Sequence, residues 1–174
     1  MPVSSRRRSS RPCAAAALYP LKAVRDVGGF DEDYFCYSED VDLGFRLRAR
    51  GARAWYVPGA VVRHAGSAVS GRRSDFTVYH GHRNLVWTFV KNMPGRYLWL
   101  YLPQHLLLNL VSLVHFACRG QARTIARAKR DAVAGLPKAL VKRRRQRYLR
   151  VVAPSELVAP MRRGLTTPYR HRHE

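Results

Sequence analysis

The chain has 174 residues, 47% of them hydrophobic, enough apolar material for one compact domain and too much for a wholly disordered polymer. Lys and Arg number 32 against 11 Asp and Glu, and the formal charge of +21 attracts polyanions such as anionic lipid, nucleic acid or phosphorylated ligands. Basic residues concentrate at 6–11 and 119–150, whereas most acids lie between Asp26 and Asp75, so an acidic stretch sits between basic ends. Three widely spaced cysteines, Cys13, Cys36 and Cys118, suggest neither a disulfide framework nor a zinc-ligand pair, and reduced thiols in a cytoplasmic setting fit them best.

Residues 1–12 are basic and Ser-rich, lack the apolar stretch of a secretory signal, and read as a disordered start. Residues 21–27 suit a short helix ended by Gly28-Gly29. After an acidic loop, Ser38 is placed to cap a helix beginning near Glu39, with Val41 and Phe45 and then Leu43 and Leu47 spaced four apart, and Gly51 as its stop. Trp55-Tyr56-Val57 and residues 60–63 are β-prone stretches flanking Pro58-Gly59, read as two short strands or one bent strand leading to His64. Residues 65–73 have the composition of a mobile loop. Residues 74–92 read as a helix stopped by Pro94, with Phe76, Tyr79, Val86, Phe89 and Val90 supplying its apolar face.

Residues 97–118 contain no Asp, Glu, Lys or Arg and come close to the roughly 20 residues needed to span a bilayer. Pro103, Gln104, His105, Asn109 and His115 dilute their hydrophobicity, so a helix lying in the interface or packed on protein competes with a span. From 121 to 150, basic and aliphatic residues alternate in a helical pattern broken around Gly135 and Pro137. No internal repeat is present.

The chemistry-bearing stretch is Gly28-Gly29-Phe30-Asp31-Glu32-Asp33-Tyr34-Phe35, then Tyr37-Ser38-Glu39-Asp40-Val41-Asp42-Leu43, then Arg46-Leu47-Arg48 with Gly51. It continues through Tyr56-Val57-Pro58, His64, a Ser-Gly loop, Arg83-Asn84 and Lys91-Asn92-Met93-Pro94. This ordered set, over residues 13–94, resembles the C-terminal half of a family 2 (GT-A-type, rhamnosyltransferase-like) glycosyltransferase; so many elements in order are more specific than any single short motif. The resemblance implies an α/β fold: a partial GT-A (Rossmann-like) domain over residues 13–95, followed by an apolar membrane-associated helix at 96–120 and a basic helical region and tail at 121–174. The half that binds the sugar nucleotide is expected ahead of Cys13. Since no DxD-type carboxylates precede the match, the chain alone is expected to be an inactive fragment.

In such a transfer an acceptor hydroxyl loses its proton as it attacks the anomeric carbon, so a positioned carboxylate is the expected general base, and Asp40 or Glu39 could serve. Taken alone, Glu39, Asp40 and Asp42 read more readily as charges stabilising a helix start, and the surrounding match reverses that preference. The resemblance assigns the base to Asp40, with Glu39 orienting or binding, and leaves Asp42 as a helix-terminal charge. It further implies acceptor contacts from Gly29, Phe30, Asp31 and Glu32, and His64 as a ligand to Mg²⁺ or Mn²⁺; Arg72 and Arg73, in the loop, suit either closure over a diphosphate, since guanidinium recognises phosphate, or a solvated loop surface. Arg83-Asn84 fall outside that core site.

The implied reaction is an inverting transfer from a nucleotide-sugar to a glycan or lipid-linked acceptor at the cytoplasmic face of the cell membrane, by a peripheral or single-span protein. The alternative is a basic module that binds membrane or nucleic acid without catalysis. Because the basic segment directly follows an apolar helix, an anionic membrane surface is a more economical partner than nucleic acid.

Overall fold

The computed structural model describes residues 16–63, 71, 73–159 and 161, and the backbone of 7–9. In chain order the elements are β1 (Arg7–Ser9), α1 (Leu21–Asp26), a single 3₁₀ turn (Glu32–Tyr34), α2 (Glu39–Ala49), β2 (Ala54–Tyr56), α3 (Asp75–Asn92), α4 (Tyr97–Phe116), α5 (Ala122–Ala134), α6 (Leu136–Leu149) and α7 (Pro154–Val158). The helix limits follow local chemistry. Ser74 accepts the Thr77 N–H at 3.3 Å as the cap of α3, and the extended backbone at Met93 ahead of Pro94 ends that helix. Gly51 (φ +85°) ends α2, and Gly120 (φ +81°) breaks the apolar α4 from the basic α5. Gly135 alone separates α5 from α6, with Pro137 in the first turn of α6.

Two expectations are corrected. The basic start is not devoid of structure, because β1 pairs antiparallel with β2 in the register Arg7–Tyr56, Arg8–Trp55, Ser9–Ala54. Residues 60–63 form no strand: Pro58-Gly59 turns the chain away and no described strand offers them a ladder. This two-stranded ribbon is the only sheet among the described residues, which are mainly helical. The α/β, Rossmann-like character is therefore not seen in them.

Helix α3 is the central element, with α5 and α6 packed along it. Ile125, Ala128 and Ala132 of α5 are buried with Val78 of α3, and the small alanines let the two helices approach closely. Fully burying a residue such as Ile125 or Leu43 stabilises the fold by about 1.5–3 kcal/mol. The indole N–H of Trp87 donates to the Ala132 carbonyl at 2.8 Å, and Tyr79 donates to Asp131 at 2.8 Å. The apolar face read from sequence, Phe76 to Val90, is not the most deeply buried one: Val78, Asn84, Thr88, Lys91 and Asn92 are, the last four because they face the acidic loop and α2. At the other end, Arg48 of α2 donates to the carbonyls of Glu156 and Leu157 at 3.0 and 2.8 Å, docking α7. The basic C-terminal helices are thus built into the body of the fold.

Among the described residues one helix, α4, begins a segment long and apolar enough to cross a membrane by length and composition. It has no buried residue; one side meets α3 and α5, with Phe89 stacked on His105 at 4.0 Å between centroids and Lys129 donating to Asn109 at 2.5 Å. Trp99, Leu100, Leu106, Leu107, Leu110, Val111 and Val114 remain exposed along the other side.

A Cβ at Gly135 would lie 2.4–2.6 Å from the Trp87 ring, nearer than atoms can pack. Gly135→Ala should therefore lower Tm, with an overpacking cost of about 1–3 kcal/mol, and shift Trp87 fluorescence as α6 swings off α3. An unchanged Tm would show that the α5–α6 junction does not rest on Trp87.

Candidate active site

The acidic loop is shaped by an unusual backbone. Phe35, Tyr37 and Ser38 all have positive φ, between 59° and 68°, each costing roughly 1 kcal/mol or more for a residue with a side chain. What offsets this is a single side chain from α3: Asn84, fully buried, donates through Nδ2 to the carbonyls of Tyr34, Cys36 and Tyr37 at 2.9, 2.7 and 2.9 Å. Its neighbour Arg83 donates to the carbonyls of Asp33 and Tyr34, both at 3.1 Å, and to Asn84 Oδ1 at 2.9 Å. Arg83-Asn84, which sequence reasoning set outside the site, are the clamp that forms it. The Tyr37 hydroxyl adds a 3.1 Å bond to Thr77 in the first turn of α3.

That clamp delivers the chain to the start of α2. Ser38 does occupy the cap position, but its left-handed backbone leaves its side chain without a capping bond. Glu39 and Asp40 follow, both half-buried. Asp40 Oδ1 accepts the Val41 N–H at 2.7 Å, so a backbone donor of the first turn holds the carboxylate. Glu39 Oε2 is buried with no hydrogen-bond partner. Burial pushes the Glu39 carboxyl up against a bond from its own N–H, and the Asp40 charge pushes the same way as burial.

Asp42 lies in the first turn of α2 but is a buried, paired carboxylate and not a solvated helix-terminal charge. It has no solvent exposure, and its carboxylate meets Arg46 Nε at 2.7 Å, Lys91 Nζ at 2.7 Å, Asn92 Nδ2 at 2.9 Å and the Tyr34 hydroxyl at 3.4 Å. Burial, reinforced by the Asp42 charge, raises the Tyr34 hydroxyl and keeps it a protonated donor. Removing one partner of a buried pair like this costs about 3–5 kcal/mol.

Asp31 is also engaged: Lys91 and Lys142 both donate to it, Lys142 at 2.5 Å. Lys142 and Lys138 from α6 hold Asp33, each at 2.5 Å. Burial by itself would raise the Asp31 carboxyl, but the bonds from Lys142 and Lys91 overcome it and hold the group at about 2. Beside this network opens a cavity of about 460 Å³ between the glycine loop, α2 and α6, lined by Gly28, Phe30, Asp31 and Glu32 among others. Gly29 (φ +72°) shapes the turn, and Phe30 stands exposed against Tyr19 at 6.4 Å.

The expected site residues therefore divide. Phe30, Asp31 and Glu32 share one cavity; Glu39 and Asp40 do not line it. Arg73 is exposed, its carbonyl held by Gln121 at 3.0 Å. His64 and Arg72 lie outside the described residues. Among the described residues no cluster of three or more His, Cys, Asp or Glu is placed to hold a metal ion, and the Asp31-Glu32-Asp33 segment does not fit one, since lysine ammonium groups occupy its aspartates. Sequence reasoning quoted Asn84 and Lys91 in the motif without a site role and passed over Lys142, because nothing local marks a residue whose partner is 47 to 111 positions away.

The lowered Asp31 carboxyl has a signed consequence. Between its ordinary 3.8 and about 2 the unfolded chain binds the proton and the folded chain does not, so stability rises with pH through that window and is lost as pH falls through it. Asp31→Asn should lower the urea midpoint at neutral pH, by leaving two lysines short of a partner, and flatten its fall between about pH 4 and 2. An acid limb as steep as the parent's would show that Asp31 does not carry this linkage.

A family model described as "Glycosyltransferase like family 2" matches residues 1–87, half of the chain. An N-acetylglucosaminyl-diphospho-decaprenol L-rhamnosyltransferase of Mycobacterium tuberculosis is 51% identical over 55 residues, 32% of this chain and 18% of that protein. A pre-mycofactocin glycosyltransferase of the same organism is 51% identical over 51 residues, 29% of this chain and 11% of that protein. The chain thus spans less than a fifth of the length of these curated relatives. No solved structure matches it. With the clamped acidic loop, the Glu39-Asp40 helix start and a family match over half its length, the chain belongs to the family 2-like glycosyltransferases.

Proposed function

We propose that the chain supplies the acceptor side and the catalytic base of an inverting transfer from a nucleotide-sugar to a glycan or lipid-linked acceptor. The observation that carries this reading is the fixing of Asp40: Asn84 locks the preceding loop, and the Val41 N–H holds one carboxylate oxygen at 2.7 Å. As the acceptor oxygen bonds to the anomeric carbon, its proton passes to the Asp40 carboxylate and the nucleoside diphosphate leaves from the opposite face. Glu39 orients the acceptor. Phe30, Asp31 and Glu32 are its contacts, with Asp31 acting through the lysine network that already holds it.

Arg72 and Arg73 close over the donor diphosphate in this proposal. Mg²⁺ or Mn²⁺ belongs to the complete enzyme in this proposal, with His64 as one ligand; the described residues hold no cluster of three or more His, Cys, Asp or Glu placed for it. The donor is bound by an α/β, Rossmann-like half. One relative carries diphospho-decaprenol in its name, which supports a lipid-linked acceptor.

In this reading the chain lies at the cytoplasmic membrane face, and the exposed apolar side of α4 supports the membrane contact. If α4 crossed the bilayer, the packed α5 would bring Arg123, Arg127, Lys129, Arg130 and Asp131 into hydrocarbon, at several kcal/mol. A helix lying in the interface keeps those charges in water and buries the exposed Trp99, Leu106 and Leu110.

Two measurements test these readings. In a chimera carrying a related enzyme's donor-binding half ahead of Cys13, Asp40→Asn should lower kcat by about 10²- to 10⁴-fold with donor affinity unchanged. Glu32→Gln, at a proposed acceptor contact, should act on KM more than on kcat; Asp42→Asn is no mild control, because it breaks the buried network. Turnover by Asp40→Asn within a few-fold of the parent removes the base. Separately, the chain should pellet with anionic vesicles, and Leu106→Gln/Leu110→Gln should weaken this while Tm stays constant; undiminished pelleting refutes the interfacial helix.

A further inference from the structure

A second cavity, of about 350 Å³, is bordered by α2, the end of α3, the start of α4 and α6. Arg143 and Arg147 of α6 and Arg150 at its end line it, spaced four and then three residues apart, so they share one side of the helix. No Asp or Glu is among its lining residues. Lys91 reaches it too, but Asp31 and Asp42 already hold that ammonium. Arg143 is half-buried and donates to the carbonyls of Val90 and Met93. None of the ion pairs among the described residues includes Arg147 or the half-buried Arg150. Burial lowers the Arg143 guanidinium from its ordinary range, and the charges of Arg147 and Arg150 push the same way. Three like charges gathered around one space without a counter-ion repel one another, and a bound anion offsets that repulsion.

Position sets this cluster apart from the other basic residues. Trp99, 70% exposed in the first turn of α4, lines the same cavity, and from it the exposed apolar side of α4 runs on through Leu100, Leu106, Leu107 and Leu110. With α4 in the membrane interface, a Trp at its start lies at headgroup level, where basic cavities between helices take lipid phosphates. Guanidinium groups hold phosphate oxygens through charge-assisted, often paired bonds. Nucleic acid offers the same phosphates, but it has no use for the apolar face that continues from the cavity.

We propose that the cavity of Arg143, Arg147 and Arg150 beside Trp99 binds the phosphate headgroup of an anionic lipid and so fixes where α4 meets the bilayer. The inference rests on the interfacial reading of α4 and adds to it a phosphate-specific contact. Ala49, Lys91 and Gln146 border both this cavity and the one lined by Phe30, Asp31 and Glu32, whereas the three arginines line only the former.

The test compares phosphatidylcholine vesicles containing phosphatidic acid with ones containing a fatty acid, matched in zeta potential. A chain of +21 is drawn to any anionic surface, so two double variants of the full chain that lose the same charge are set side by side. Arg147→Gln/Arg150→Gln alters the cavity; Arg53→Gln/Arg63→Gln alters exposed arginines outside it. Arg143 is left in place because it holds the end of α3. The parent should prefer the phosphatidic acid vesicles by about tenfold. The cavity variant should lose that preference at unchanged Tm, with binding to the fatty-acid vesicles weakened no more than in the control, and the control should keep the preference. Where the double variant loses Tm, Arg147→Gln alone, at an exposed position, should still reduce the preference. Equal binding of the parent to both vesicle types, or a preference that survives in the cavity variant or falls equally in the control, overturns the headgroup site and leaves the interfacial helix standing. Binding to neither vesicle type removes both. Saturable binding of duplex DNA that the cavity variant loses, with no preference between vesicles, assigns the cluster to nucleic acid and likewise overturns the proposal.

Discussion

A carboxylate sealed from water is stable only if cations and hydrogen-bond donors replace its hydration, and Asp42 meets that condition through Arg46, Lys91, Asn92 and the Tyr34 hydroxyl. Three segments must come together for this: the acidic loop, α2 and the last turn of α3. Lys91 is shared with Asp31, so the same ammonium joins the buried centre to the mouth of the cavity. From there Lys142 and Lys138 extend the network to α6. The alternation of charges across four elements makes loop, helix start and C-terminal helices one mechanical unit.

This arrangement explains how a loop with three strained residues can present the Glu39-Asp40 pair in a fixed place. The strain at Phe35, Tyr37 and Ser38 turns three carbonyls toward Asn84, and the amide recovers in hydrogen bonds what the backbone loses. Asp40 then starts α2 with its orientation determined, since it is two residues from the buried Asp42 and bonded to the Val41 N–H. Preorganisation of this kind is what a general base requires.

The basic C-terminal region serves three purposes that charge count alone does not separate. Lys138 and Lys142 are internal counter-ions to the acidic loop. Arg143 donates to the Val90 carbonyl, near the end of α3. Arg145, with Arg25 and Arg50, borders the cavity and gives it a positive rim. A formal charge of +21 is thus partly consumed in holding the fold together and partly left for ligands or surfaces.

Much of the local structure was legible in the residues themselves. Gly28-Gly29, Gly51, Gly135 and Pro94 mark helix ends because backbone conformation is a short-range property, and Ser74 caps α3 for the same reason. The ordered motif from Gly28 to Pro94 pointed to the family. The roles of its charges were not legible. Asp40 and Asp42 are both carboxylates in one helical turn; the first is half-buried and the second is sealed beneath Lys91 and Asn92 of α3, and no spacing rule carries that information. Helix amphipathicity misled for α3, where a polar stripe is the buried one, since the surface it meets is an acidic loop rather than an apolar core. The pairing of Asp33 with Lys138, 105 residues apart, was decided only when α5 and α6 folded back along α3. Sequence determined the elements and the chemistry they carry; tertiary packing decided which charges were neutralised inside and which were left to act, because burial is a property of the assembled surfaces and not of the chain.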